Sequence, residues 1–271
     1  MRLFADDCVI YKKIKSRDDV VMLQKDLKNL EKWELTWKMD FNPSKCFTMN
    51  VTRKRNPMIS DYVLKDTILE NVEKSPYLGV VIRKDLKWRD HVDNITMKAN
   101  RTLGLVRRNI KTNNMELKTK AFNTLVRPVL DYASSVWDPY QQGDINRIQA
   151  VQRRAARYVT NRFHNTSSPT EMLLDLNWET LQTRRQKIKL CTFYKIHHRL
   201  LNISAPPYIH LAPSRIRRTH PLAYFELTTS ADYYRKSFYP STVTLWNSLP
   251  MEVATASTLE AFKASLATAP F

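Results

Sequence analysis

The chain opens on 1-MRLFADDCVIY-11, and the reading of this stretch decides the first third of the fold. Asp6 and Asp7 stand side by side between Leu3-Phe4-Ala5 and Cys8-Val9-Ile10-Tyr11. Phe, Val, Ile and Tyr favour strands, and Asp accepts the backbone angles of a turn between them. The stretch therefore predicts two short strands joined at the acidic pair. Adjacent carboxylates on a tight turn are hard oxygen ligands suited to Mg²⁺ or Mn²⁺. A plain polar turn is the other reading, and the dipeptide alone does not separate the two.

Working outward, Ser16 with Asp19 three residues on predicts a capped helix start. Val20, Leu23, Leu27, Leu30 and Trp37 then recur at helical spacing, and Pro43 is expected to end the segment. Lys45 to Thr52 reads as a weak strand. Tyr62–Leu64 and Thr67–Leu69 read as a hairpin around Lys65-Asp66. "YLGVVI", Tyr77–Ile82, reads as a buried strand from its β-branched content. Residues 1–88 are thus expected to form an α+β unit.

Beyond Asp90 the pattern is helical. Val92, Ile95, Ala99, Leu103, Val106 and Ile110 make one apolar stripe, with Lys98, Arg101, Arg108 and Lys111 on other faces. A second helix near Met115–Val126 is expected to bury Leu117, Ala121 and Leu125 and to stop at Pro128. A third, from about Asp144 to Thr160, turns Ile145, Ile148, Val151, Ala155 and Val159 inward and Arg147, Arg153, Arg154 and Arg157 outward. Ser168-Pro169-Thr170-Glu171 starts a further helix. The helix after Trp178 is expected to run to about Leu201 and to be ended by Pro206-Pro207. Residues 205–250 read as loop-rich. Their aromatics, Tyr233, Tyr234, Phe238 and Trp246, fit base stacking and irregular packing equally well. Ser257 with Glu260 caps a final helix. Segment 89–163 is read as one helical domain and 164–271 as another.

Composition narrows the partners. The 271 residues are 43% apolar, enough to bury a core, and carry 44 Lys and Arg against 26 Asp and Glu, a net charge of +18. Such an excess calls for a polyanion, and nucleic acid releases condensed counterions on meeting basic side chains. Phosphate contact is therefore preferred over a merely solvated surface for the basic helix faces. No run of about 18 apolar residues is present to span a membrane. The first residues do not read as a signal peptide, so an intracellular protein, nuclear or cytoplasmic, is expected. Three distant cysteines exclude a disulfide framework and a paired-cysteine metal site. Three glycines suit a helix-rich chain. His197-His198 point apart on a helix and make no metal site.

Taken in order, these motifs resemble the palm of a reverse transcriptase from its aspartate box onward. "FADD", Phe4 to Asp7, is similar to the aromatic-x-Asp-Asp box. "WKMDFNPSKC", with Asn42, Pro43 and Lys45, resembles the lysine-bearing motif that follows. Tyr77, Leu78 and Gly79 look like the primer-grip hairpin. The stretches "AFNTLVRPVLDYASSVWDPY", "VQRRAARYV" and "LWNSLP" resemble the later region of non-LTR, LINE-type retrotransposon polymerases.

The resemblance implies a partial palm over 1–88, a thumb-like helical domain over 89–163 and a helical, loop-rich region over 164–271. It implies Asp6 as a metal ligand with Asp7 beside it, and Lys45 near the leaving pyrophosphate. It implies Mg²⁺ or Mn²⁺ as cofactor, and RNA template with DNA primer, or duplex, as partners. Tyr77, Leu78 and Gly79 would meet the primer. Lys98, Arg101, Arg108, Arg154 and Arg157 would meet phosphates on the thumb. From the residues alone, Lys45 is a solvated loop lysine and Gly79 a bulge in a strand. The family's site also takes an aspartate from an earlier strand, and Met1 stands only five residues before Asp6. The expectation is a truncated RNA-directed DNA polymerase, a nucleotidyltransferase inactive alone. The alternatives are a non-catalytic basic nucleic-acid-binding module and a decayed sequence.

Overall fold

Ser16 starts the first helix by a reciprocal cap. Its hydroxyl accepts from the Asp19 backbone N–H, and the Asp19 carboxylate accepts from the Ser16 N–H at 3.1 Å. These bonds hold the Asp19 carboxyl below the usual carboxylate range, with the Lys15 backbone N–H the largest cause. Helix α1 then runs Arg17–Trp37. It ends at Lys38 in a left-handed conformation (φ 54°) whose N–H returns to the Glu34 carbonyl. The helix therefore closes on its own cap well before Pro43. That proline instead opens a 3₁₀ turn, Pro43–Lys45, where its fixed φ is favourable.

The computed structural model describes residues 1–164, 166–213, 220–226, 228–229 and 231–269. They divide into two compact units, Met1–Lys87 and Trp88–Phe271. The second unit takes in both segments read as separate helical domains.

In the first unit, α1 is accompanied by four two-stranded sheets. β1 (Arg2–Phe4) pairs antiparallel with β2 (Asp7–Val9), and β3 (Phe47–Thr48) runs parallel to β6 (Glu70–Asn71). β4 (Val63–Leu64) and β5 (Thr67–Ile68) form the expected hairpin around Lys65-Asp66. β7 (Lys74–Tyr77) and β8 (Val80–Arg83) form another. Two expectations are corrected here. The strand read over Lys45–Thr52 shrinks to two residues. "YLGVVI" is not one strand: Leu78 (φ 46°) and Gly79 (φ 78°) both turn left-handed, the geometry of the tight hairpin turns that match strand twist. The core of this unit is thin. Tyr62, Leu64 and Leu69 are buried, with Val20, Leu23, Leu27, Phe41 and Cys46 packed against them.

The second unit is helical. It contains α2 (Arg89–Asn109), α3 (Met115–Ala121), α4 (Arg127–Asp131), α5 (Ser134–Trp137), α6 (Gln142–Thr160), α7 (Pro169–Asp175) and α8 (Leu181–His197). It continues with α9 (Asp232–Arg235), α10 (Phe238–Asn247), α11 (Met251–Ala254) and α12 (Leu259–Thr268). The apolar stripe of α2 is buried as its spacing predicts. It packs along α6, whose Ile148, Val151, Ala155 and Val159 face inward. The two helices point the same way: Arg147 meets Asp93 at 2.7 Å and, one heptad on, Arg154 donates to the Asn100 Oδ1 at 2.8 Å.

Between them the chain departs from the simple helical phase. A π turn over Phe122–Val126 joins α3 to α4, so the buried face is Lys118, Ala121, Phe122, Val126 and Leu130. Leu117 and Leu125 are about half exposed, the reverse of the expectation from regular 3.6 spacing. The wide turn also lets Pro128 sit in the first turn of α4 instead of stopping the helix. Other stops are corrected too. α8 ends at His197, short of the expected Leu201 and well before Pro206-Pro207, and α10 is a helix inside the stretch read as loop-rich. The cap of α12 is Thr258, one residue after the serine expected. Ser168 caps α7 as read.

His91 in α2 is buried against Trp137, ring centroids 4.9 Å apart. Burial pulls its imidazole down to about 4 from an ordinary 6.5. The unfolded chain thus takes up this proton first, so the second unit is expected to lose stability as pH falls from 6.5 toward 4. The loss is about 3 kcal/mol by linkage. Urea melts at pH 7 and pH 4.5 check this. An equal pH dependence in His91→Asn shows that the loss arises elsewhere.

Candidate functional site

The acidic pair sits where the opening stretch predicts. Phe4 pairs with Asp7 across the hairpin, leaving Ala5-Asp6 as a two-residue turn with Ala5 left-handed (φ 50°). Asp6 lies in the turn and Asp7 begins β2, and both are exposed. Burial pushes the Cys8 thiol up, and the N-terminal ammonium partly offsets it. Burial likewise raises the thiol of Cys46, beside Lys45. Lys45 itself ends the 3₁₀ turn and is exposed. Asn42 holds that turn, its Oδ1 accepting from the Ser44 N–H at 3.1 Å and the Ser44 hydroxyl at 2.7 Å.

A residue not singled out by the sequence organises the neighbourhood. Glu34 of α1 is buried, and its carboxylate accepts from the Phe41 N–H at 2.8 Å. The Lys65 ammonium pairs with both Glu34 and Asp40 and donates to the Phe41 carbonyl at 3.0 Å. These bonds hold the Asp40 carboxyl below its usual range and raise the Lys65 ammonium above its own. Lys65 was legible only as a turn residue. Its second role depends on α1 and the Asp40-Phe41 segment returning to the β4–β5 turn, which spacing does not reveal.

Tyr77, Leu78 and Gly79 form the tip of the β7–β8 hairpin. Tyr77 and Leu78 are half-buried and Gly79 is exposed. Gly79 is a turn residue rather than a bulge, and its conformation costs glycine little. The second unit supplies the basic faces. Lys98, Arg101 and Arg108 of α2 and Arg154 of α6 are exposed, and Arg157 is half-buried. Arg154 is partly engaged by Asn100, which leaves Lys98, Arg101 and Arg108 as the more open of these five cations.

The aromatics of the C-terminal segment divide. Trp246 is fully buried, with Phe193 and Phe262 around it at 5.2 and 5.8 Å. Phe238 packs against the same core. Tyr233 is exposed. His197 bonds the Tyr224 hydroxyl at 2.7 Å, an ordinary core contact.

Asp6 and Asp7 bring two adjacent carboxylates to one hairpin, and among the described residues no cluster of three or more His, Cys, Asp or Glu side chains is placed to hold an ion. Two carboxylates are a donor set that would hold Mg²⁺ with waters and substrate phosphates as its other ligands. Among the described residues, no helix is long and apolar enough to cross a membrane.

The chain is similar to three polymerases of mobile elements. It is 26% identical over 208 residues, 73% of this chain, to the probable RNA-directed DNA polymerase from transposon BS of Drosophila melanogaster. It is 25% identical over 162 residues, 58% of this chain, to the probable RNA-directed DNA polymerase from transposon X-element of the same organism. It is 21% identical over 164 residues, again 58%, to the RNA-directed DNA polymerase from mobile element jockey of Drosophila funebris. The matched parts span 22%, 18% and 18% of those proteins, so the chain corresponds to about a fifth of their length. The resemblance to non-LTR retrotransposon polymerases is borne out by these similarities, and the α+β architecture agrees with it. No family model and no solved structure matches the chain.

Proposed function

We propose that this chain serves within an RNA-directed DNA polymerase of a non-LTR retrotransposon, as the part running from the aspartate box through the thumb to the region beyond. Asp6 and Asp7 are its catalytic carboxylates and supply two of the metal ligands. Lys45 meets the leaving pyrophosphate, and the Tyr77–Gly79 hairpin tip bears on the primer. Lys98, Arg101, Arg108, Arg154 and Arg157 contact the phosphates of the RNA template and DNA primer. The protein acts in the nucleus or cytoplasm. The observation that carries this reading is the sequence similarity to three polymerases, in a chain whose acidic, lysine and hairpin motifs follow one another in palm order.

The net charge of +18 supports a narrower role for the chain taken by itself, that of a nucleic-acid-binding module. Primer extension with Mg²⁺ or Mn²⁺ is expected to give no product, while fluorescence anisotropy shows binding to an RNA–DNA duplex. Five phosphate contacts would weaken that binding on the order of 10²–10³-fold between 50 and 200 mM salt. Arg101→Ala with Arg108→Ala is expected to reduce the salt slope by about 2. Extension that disappears in Asp6→Ala would show the ligand set to be sufficient. Binding indifferent to salt would remove the phosphate contacts.

A further inference from the structure

A cavity of about 350 Å³ opens where the ends of α2 and α6 meet the turn into α3. Its charged lining is wholly basic: Arg107 from α2, Lys111 from the turn and Lys118 from α3. Among the described residues, no carboxylate lines it. Asn113, Tyr158 and Asn161 complete the polar wall.

The site is built rather than accidental. The Lys118 side chain is buried, and its ammonium donates to the Tyr158 carbonyl at 3.1 Å and the Asn161 Oδ1 at 2.7 Å. It also lies over the Tyr158 ring, 4.8 Å from the centroid. The Tyr158 hydroxyl donates to the Ile110 carbonyl at 2.7 Å, which locks the end of α6 to the end of α2. The Asn161 amide donates to the Asn113 Oδ1 at 3.3 Å and fixes the turn.

A bland explanation is that these cations simply offset two helix C-termini. The magnitudes decide against it. Two helix ends carry about one elementary negative charge together, and three cations line the cavity. Among the described residues Lys118 has no acidic partner, and burial alone lowers its ammonium from the ordinary range. A surplus of positive charge in a polar cavity is what a phosphate group complements.

We infer that Arg107, Lys111 and Lys118 form a binding site for a phosphate group, carried either by a free polyphosphate or by the backbone of a nucleic-acid strand. The inference rests on the cavity and holds whether or not the polymerase reading does.

Titration calorimetry of the full chain with pyrophosphate, and anisotropy with a short fluorescein-labelled oligonucleotide, test it. The paired variant Arg107→Ala with Lys111→Ala lies on the exposed rim and leaves the buried Lys118 in place. Each lost charge-assisted contact is expected to weaken binding by about 10-fold. The charge-matched pair Lys236→Ala with Lys263→Ala lies outside the cavity and should weaken binding no more than about 2-fold. Loss of pyrophosphate binding in the first pair assigns the site to a free polyphosphate. Loss confined to the oligonucleotide assigns it to a strand. If neither probe binds the wild type, or if both variant pairs weaken binding equally, the inference is overturned.

Discussion

Replacing Asp138 by asparagine is expected to destabilise the second unit by about 3–5 kcal/mol, the range found when one partner of a buried ion pair is removed. The reason is a local imbalance of charge. The Asp138 carboxylate takes the Arg185 guanidinium on one oxygen and the Lys189 ammonium on the other, each at 2.7 Å. Both cations are buried, with side-chain exposures of 1% and 5%. Arg185 also keeps its two terminal nitrogens without a hydrogen-bond partner among the described residues. One acid thus faces two cations, and neutralising it leaves both uncompensated. Domains have total stabilities of about 5–15 kcal/mol, so the loss is a large share. It should appear as a drop of roughly 6–20 °C in the thermal midpoint. The triple replacement Asp138→Leu, Arg185→Met, Lys189→Met removes every charge of the cluster and should recover most of the loss. A triple variant as unstable as Asp138→Asn would show that packing, not charge, holds this site.

Truncating Trp246 to alanine is the second large effect expected, again about 3–5 kcal/mol. The indole is wholly buried at the centre of the α8, α10 and α12 packing, and its Nε1–H donates to the Leu222 carbonyl at 2.9 Å. Its own carbonyl bonds the His220 ring at 2.9 Å. The substitution both opens a void and removes the donor from the half-buried Leu222 carbonyl. The conservative Trp246→Phe should cost about half as much, since most of the apolar volume remains. Nucleic-acid affinity measured well below the midpoint should be unchanged in Trp246→Phe. A weakened affinity with the fold intact would return this tryptophan to the base-stacking role that its neighbouring basic residues suggested.

Local chemistry was legible in the sequence, and return contacts were not. The Ser16–Asp19 cap, the Lys65-Asp66 turn, the acidic hairpin and the apolar stripes of α2 and α6 depend on residues within a few positions of each other, and each forms as read. Prolines misled as helix stops, because Lys38 ends α1 first in a left-handed angle usually left to Gly or Asn, and His198 ends α8 first in a conformation open to most residues. The turn inside "YLGVVI" was hidden because Leu78 accepts a left-handed angle usually left to Gly or Asn. The face beyond Ala121 was misassigned because the π turn shifts the register there, exposing Leu125 and burying Val126. As for the candidate site, the motifs and their order were readable. The pairings of Glu34 with Lys65 and of Asp138 with Arg185 and Lys189 join residues far apart in the chain, and no spacing rule reaches that far.

The shared direction of α2 and α6 also sets a timetable. Contacts such as Asp93 with Arg147 bridge 54 positions, because the chain must travel back the length of a helix before it can run alongside in parallel. At translation rates of about 5–20 residues per second, α2 leaves the ribosome roughly 3–10 s before the face that covers it. For that interval only the π turn and α4 are there to cover its stripe of Val92, Ile95, Ala99, Leu103 and Val106. The long basic side chains that alternate with the stripe keep nascent copies apart by mutual repulsion until α6 arrives.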